Sequence, residues 1–319
     1  MNSHRLGQND PDRTQRAELR STPSFVILKA EGRRIPDLFF ASLLNQDETT
    51  MEEKPVLYEK HDRIAKVILN RPRYKNAQSR RLLEEMDAAF AEANADDDVR
   101  VIILSGAGDN FCSGHDLGTS EEKEDQQRRP FPKGVRGEYA KSRQMFLDNT
   151  LRWRDLDKPT IAQVQGLCIF GGWMFAAAMD LVVASDDAKF LPSLLQYFSI
   201  PWDMPPRKAK EILFQSRFID ADEAARLGFV NLVVPRASLE TETMALANRI
   251  AESDRFTLRM VKWAVNSAQD AMGFSTAIRN AHSHHMILGI GGLMQAKMQG
   301  KELPKRMPGV EQALKKIKK

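Results

Sequence analysis

Two short segments hold the residues of this chain best suited to chemistry on a carbonyl group. They are Phe111-Cys112-Ser113-Gly114-His115-Asp116-Leu117 and Gly166-Leu167-Cys168-Ile169-Phe170-Gly171-Gly172. Each follows an apolar run, residues 101–104 and 161–164, that reads as a buried strand. Each then places glycine where the backbone must turn sharply and stay accessible. Two such turns can aim backbone N–H groups at one carbonyl oxygen, which is the requirement of an oxyanion hole. The plainer reading is a pair of ordinary strand-to-helix turns.

The surrounding text favours the first reading. Asn70-Arg71-Pro72 and Asn76-Ala77 stand upstream, and Pro159 opens the strand before the second turn. With these motifs in this order, the chain from about Val56 to about Ala268 resembles the crotonase (enoyl-CoA hydratase/isomerase) superfamily. The resemblance implies an α/β fold, a spiral of ββα repeats followed by a helical C-terminal region. It also implies a CoA thioester substrate, so coenzyme A would arrive with the substrate and no other cofactor or metal is expected. By the same resemblance, the backbone N–H groups of His115 and Gly171 are the oxyanion donors. Ser113, Gly114, Asp116, Leu117, Phe170 and Gly172 would surround the bound thioester. The segment from Asn70 to Ala77 resembles the one lining the family's CoA channel. Its cations Arg71, Arg73 and Lys75 suit phosphate oxygens, with Asn76 and Ala77 completing the binding loop. A solvated basic loop is the bland alternative.

The departures from the family pattern bear on the reaction. A family hydratase adds water with two glutamates, one acting as base and one as acid. The first position is occupied by Met174, and the second falls in Pro192-Ser193-Leu194, at Leu194. Neither side chain carries a proton, so hydration by two glutamates is not supported. Met174, Leu194, Tyr197 and Trp202 are instead expected to line the acyl pocket. The remaining acid is Asp203, in Pro201-Trp202-Asp203-Met204-Pro205-Pro206. Rigid, apolar neighbours could raise its pKa towards a useful value. It could equally cap a helix over residues 207–214. Asp116 and Asp180 read as turn residues that accept N–H bonds. The His115 imidazole lies beside the hole, although a main-chain role does not require it. His282, His284 and His285 are expected to be solvated or at an interface, since their spacing is not the i, i+4 pair of a helical metal site. Cys112 and Cys168, the only cysteines, read as free, buried filler.

The leading expectation is therefore an enzyme that forms an enolate from an acyl-CoA. One alternative is a non-catalytic acyl-CoA-binding or scaffold protein on the same fold. Another is a C–C bond hydrolase or an isomerase that uses a single aspartate.

The elements that must position these residues are legible in outline. Residues 56–69 alternate as a hairpin around His61-Asp62-Arg63. Ser79 can cap a helix whose apolar face is Leu82, Leu83, Met86, Ala89, Phe90 and Ala93. Residues 121–137, charged and holding Pro130 and Pro132, read as a mobile loop. Residues 139–156 read as a helix, and 181–184 and 230–234 as strands. Asp220-Ala221-Asp222-Glu223 opens a helix that Gly228 stops. Helices over 244–250, 258–268 and 274–286 follow.

Hydrophobic residues make up 42% and charged residues 28% of the 319, which fits a globular enzyme. The net charge of +4 is matched by Lys315, Lys316, Lys318 and Lys319 alone. A near-neutral body argues against a nucleic-acid partner. No apolar run approaches the ~18 residues of a membrane span. Residues 1–50 are expected to be a poorly ordered or non-native extension, with Met51 as a possible natural start. Residues 51–235 would form the spiral core and 236–319 a helical trimerisation region. A cytoplasmic homotrimer or hexamer is the expected state.

Overall fold

The computed structural model describes residues 54–192 and 195–299. The N-terminal extension, Leu194 and the terminal lysines lie outside the described residues. The sequence alternates strands with helices, and a mixed α/β fold results. A hairpin, β1 (Val56–His61) and β2 (Ile64–Leu69), opens it. The next strands are β3 (Val101–Gly106), β4 (Thr160–Val164), the short β5 (Leu167–Ile169), β6 (Leu181–Ser185), β7 (Lys189–Leu191), β8 (Ile219–Asp220) and β9 (Leu232–Val234). One sheet has the order β1-β2-β3-β4-β6-β9 and is parallel from β2 onward. A second has the order β5-β7-β8.

The main sheet is covered on both faces, which is why its strands are continuous β-branched runs. Ile102, Leu104 and Ala162 join a large cluster with Leu82, Met86 and Phe90 of α1 (Arg80–Ala95). Val101, Ile103 and Ile161 point the other way and meet Leu239, Ala247 and Ala251. Ser79 caps α1, its hydroxyl accepting from the Leu82 N–H at 3.2 Å.

Residues 121–137 are mostly helical rather than a mobile loop. They lie in α2 (Ser120–Arg128) and the start of α3 (Gly134–Ser142). The charged run is the outer face of α2, which is capped by Thr119. It is tied to α1 by Arg80–Asp125 and Arg129–Glu84 ion pairs. The Arg80 guanidinium also lies 3.6 Å over the Phe131 ring. The next helical stretch is interrupted. A π-type turn over Arg143–Asp148 separates α3 from α4 (Asn149–Arg154), and such turns often re-aim side chains near functional sites.

The later helices are α5 (Gly171–Ala178), α6 (Ile200–Asp203), α7 (Pro206–Gln215), α8 (Ala221–Leu227), α9 (Leu239–Ala251), α10 (Arg255–Ala271) and α11 (Phe274–Met298). Asp220 caps α8 at the Glu223 N–H, and Gly228 closes it in a left-handed conformation, φ 95°. Pro205, not Asp203, stands at the N-cap of α7, with no side-chain capping bond. The helix-cap reading of Asp203 is thus corrected, because α6 already contains that residue. Among the described residues, no helix is long and apolar enough to cross a membrane.

Candidate active site

The two glycine turns run side by side. Cys112 donates its N–H to the Leu167 carbonyl at 2.9 Å, and Ile169 donates to the Cys112 carbonyl at 3.0 Å. On the other edge, Gln78 donates to the Gly114 carbonyl at 2.8 Å and accepts from the Asp116 N–H at 3.1 Å. Alternate backbone groups of a paired strand face opposite sides. The His115 N–H is therefore turned away from Gln78, and among the described residues it meets no acceptor.

Close approach explains the glycines. Gly114 has φ 93°, and a Cβ there would stand 2.9 Å from the Ile169 carbonyl oxygen and 3.5 Å from the Gly171 nitrogen. At Gly172, a Cβ would lie 2.4 Å from the Cys112 oxygen. Phe170 turns the chain into α5 with φ 44° and ψ −96°. A conformation this rare for a residue with a side chain costs ~1–3 kcal/mol, and such strain clusters at functional sites. Gly171 follows as the first residue of α5, where N–H groups lack helical acceptors and the helix dipole is positive.

Asp116 holds the first turn in shape. It accepts from the Gly118 and Thr119 N–H groups at 3.0 and 2.8 Å and from the Thr119 hydroxyl at 2.7 Å. These bonds hold its carboxyl below the usual range although burial pushes the other way. Arg71 completes the knot. Its five N–H donors meet Asp116, Glu121, Thr119 and the Ala77 carbonyl. None is left for a phosphate, so its expected binding role is corrected to a structural one. Asn76 is spent likewise, accepting from the Arg71 N–H and donating to the Ala107 and Asn110 carbonyls. Ala77 is buried, whereas Arg73 and Lys75 are exposed and remain the loop's free-facing cations. The Ser113 N–H donates to the Lys75 carbonyl, which joins this loop to the first turn. Leu117 is 71% exposed beside the site.

Met174 lies one turn into α5, 1% exposed, packed with Leu147, Leu151, Tyr197, Phe274 and Ile278. Trp202 edges onto Phe274 at 5.0 Å. Burial raises the Tyr197 hydroxyl well above its ordinary pKa. Burial pushes the Asp203 carboxyl up to about 7, against the opposing pull of its hydrogen bonds with Trp173 and with the Ser199 hydroxyl, from which it accepts at 2.6 Å. It lines a cavity of about 390 Å³ with Ala177, Ala178, Asp180, Lys262 and Phe274. That cavity lies towards the C-terminal end of α5 and is lined by no residue of the two turns.

The His115 ring sits on Phe146, centroids 4.1 Å apart, with Nε2 2.5 Å from the Gln196 Oε1. Burial, with His285 and Lys141 as the facing cationic groups, pushes the imidazole down to about 4. His282 is fully buried and bonded to Ser142, and burial lowers His285 to about 4. The solvated or interface role expected for His282 is corrected, because α11 packs that residue against Tyr139 and Ser142 of α3; His285 is half-buried and His284 exposed. Both cysteines are free and buried, and Cys112 is pushed up to about 12, which leaves a neutral thiol. Among the described residues no side-chain cluster could hold a metal ion. Sequence reasoning missed Gln78, Ser142 and Gln196. Only Gln196 carried a local signal, a polar residue within the apolar run of residues 194–198. Gln78 and Ser142 sit in polar text, and the partners of all three come from distant segments.

Relatives of known family share this arrangement of chain. The enoyl-CoA hydratase/isomerase family model matches residues 59–286. The EchA13 protein of Mycobacterium tuberculosis, whose name assigns it to the enoyl-CoA hydratases, is 40% identical over 255 residues. That match spans 73% of this chain and 80% of the relative. A solved structure of a probable enoyl-CoA hydratase from Mycobacterium thermoresistibile is 40% identical with a TM-score of 0.69, covering 76% of this chain and all of that one. An enoyl-CoA hydratase/isomerase from Xanthobacter autotrophicus is 32% identical with a TM-score of 0.67, over 77% of this chain and 94% of its own.

Proposed function

The chain belongs to the enoyl-CoA hydratase/isomerase family, and on that premise we propose that it processes an acyl-CoA by stabilising a thioester enolate between the His115 and Gly171 N–H groups. The observation that carries the reading is the approach of Gly114 to the Gly171 nitrogen, with the His115 N–H left unspent beside it. Each such donor is worth ~3–4 kcal/mol of barrier. Arg73 and Lys75 would meet the nucleotide phosphates.

Met174 at the expected glutamate position speaks against water addition by two carboxylates. Asp203 supports a one-carboxyl reaction instead. Its cavity includes Ala177, six residues and about 9 Å along α5 from Gly171. A carboxyl there suits a carbon remote from the carbonyl. It would take a proton from one carbon, the charge would spread to the thioester oxygen, and the proton would return to another carbon. That is a double-bond shift, with no atom gained or lost. The burial of Met174 among aliphatic and aromatic groups favours a second reading, acyl-CoA binding without chemistry.

A panel of CoA thioesters tests both. Binding should raise the thermal midpoint, since ligand meets only the folded state. An isomerised product of unchanged mass supports catalysis, and a gain of 18 Da (one water) refutes the one-carboxyl reading, as ~18 is the mass of water. No midpoint shift with any thioester would sink the proposal. We further propose self-association through α10 and α11, which expose Phe256, Val261, Trp263, Val265, Ile287 and Leu288. Sedimentation would read it.

A further inference from the structure

The C-terminal helix α11 reaches the site by two routes. Phe274 and Ile278 pack beneath Met174 and Tyr197. His282, one turn beyond Ile278 on the same face, begins a buried polar chain. Its Nε2 lies 3.0 Å from the Ser142 hydroxyl, and Ser142 Oγ accepts from the Gln196 amide at 3.4 Å. The Gln196 Oε1 meets His115 Nε2 at 2.5 Å. His282, Ser142 and Gln196 are 0%, 5% and 7% exposed, so water does not compete for these bonds.

Such a chain has a cost that packing alone does not explain. Three imidazole Nδ1 atoms, of His115, His282 and His285, are buried without a hydrogen-bond partner. Apolar residues of similar size would fill the space without that penalty. What the chain supplies is direction: it pins one edge of the His115 ring while Phe146 pins its face. The Gly114 carbonyl, bonded to the Gln78 N–H, already fixes the peptide plane that carries the His115 N–H. The chain fixes the ring that hangs from the same Cα, and so sets how far the imidazole can turn beside that N–H.

We infer that Gln196, Ser142 and His282 are positioning residues through which α11 holds the His115 ring in place beside one oxyanion donor. The inference rests on the reading of the His115 N–H as that donor.

The test has two readouts. The ¹⁵N spectrum of the His115 imidazole needs no substrate. It should report one fixed tautomer in the native protein and averaging in His282→Leu. With a turned-over thioester, His282→Leu should lower kcat about tenfold with KM nearly unchanged, as a displaced catalytic group does. His282→Gln keeps an acceptor near the Nε2 position and should restore most of the rate. Gln196→Leu combined with His282→Leu should cost little more than either alone, because both break one chain. An unchanged His115 spectrum in a folded His282→Leu protein overturns the inference. So does an altered spectrum with unaltered kcat. If no thioester binds the native protein, the functional reading falls first, and the oxyanion part of this inference falls with it.

Discussion

The two ends of α5 are built on different electrostatic plans. At the N-terminal end, Gly171 and His115 offer bare N–H groups, and the side chains around them are neutral: Met174, Gln78, Gln196 and an imidazole pushed down to about 4. At the C-terminal end, Asp180 pairs with Lys262 at 2.8 Å, and Arg154 and Asp203 share the same cavity. Backbone dipoles hold developing negative charge without needing to reorganise, whereas moving a proton needs a group that titrates. On the proposed reading, the contrast separates charge stabilisation from proton transfer along one short helix.

Removing the proposed proton carrier should have the largest effect. Asp203→Asn should cut turnover about 10²–10⁴-fold while thioester binding, read as a thermal shift, stays nearly intact. Pro205 rather than Asp203 stands at the α7 N-cap, so no cap is lost. Equal rates in variant and parent would erase the division between the two ends.

At the other end, Gly171→Pro removes an N–H outright and should cost about 100-fold in kcat. Its ring would also press on the Gln78 amide, since even a Cβ at this position would stand 2.3 Å from Oε1. Circular dichroism must therefore confirm a folded variant. Comparable activity in a folded protein would place the hole elsewhere.

Making the neutral end charged should damage the fold before it changes the chemistry. Met174→Glu buries a carboxylate among Leu147, Leu151, Phe274 and Ile278. It should cost ~3 kcal/mol or more at neutral pH, less where the acid is protonated. Denaturant midpoints at pH 5 and 8 would read the difference. Restored hydration of an enoyl-CoA would instead mean that the pocket keeps hydratase geometry.

The smallest effect is on how stability varies with pH, and the two ends oppose each other. His115 and His285 fall from 6.5 to about 4 on folding, so the unfolded chain takes up protons that the folded one refuses. Their contribution is present above about 6.5 and is lost as pH falls towards 4. Asp203 rises from 3.8 to about 7, so the folded chain keeps a proton the unfolded one releases. Its contribution is present below about 4 and is lost as pH rises towards 7. Urea midpoints across this window should fall more steeply on acidification in Asp203→Asn than in the parent. Parallel profiles would show that the carboxyl is not buried as described.

Local signals were enough for several parts of this molecule. The Ser79 and Asp220 caps, the Gly228 stop, the hairpin and the buried parallel strands each rest on short-range chemistry that neighbouring residues already contain. The glycines of both turns were legible for the same reason. Even there, only the folded chain shows what approaches them: the Cys112 carbonyl at Gly172 and the Gly171 nitrogen at Gly114. Residues 121–137 misled because charge and proline mark loops on average, while the ion pairs that stabilise α2 come from α1, some forty residues earlier.

By itself, then, the sequence determined the strand–helix alternation, the two glycine turns and a methionine, which carries no proton, at position 174. It could not decide which charges were already spent. Arg71 reads as a free cation until Asp116 of the first glycine turn and Glu121 of α2, 45 and 50 residues along the chain, take its donors. His282 reads as a surface residue until α11 packs against Ser142, and Asp203 as a cap until α6 encloses it. Side-chain chemistry depends on desolvation and on partners far apart in the chain, and only tertiary packing brings those partners together.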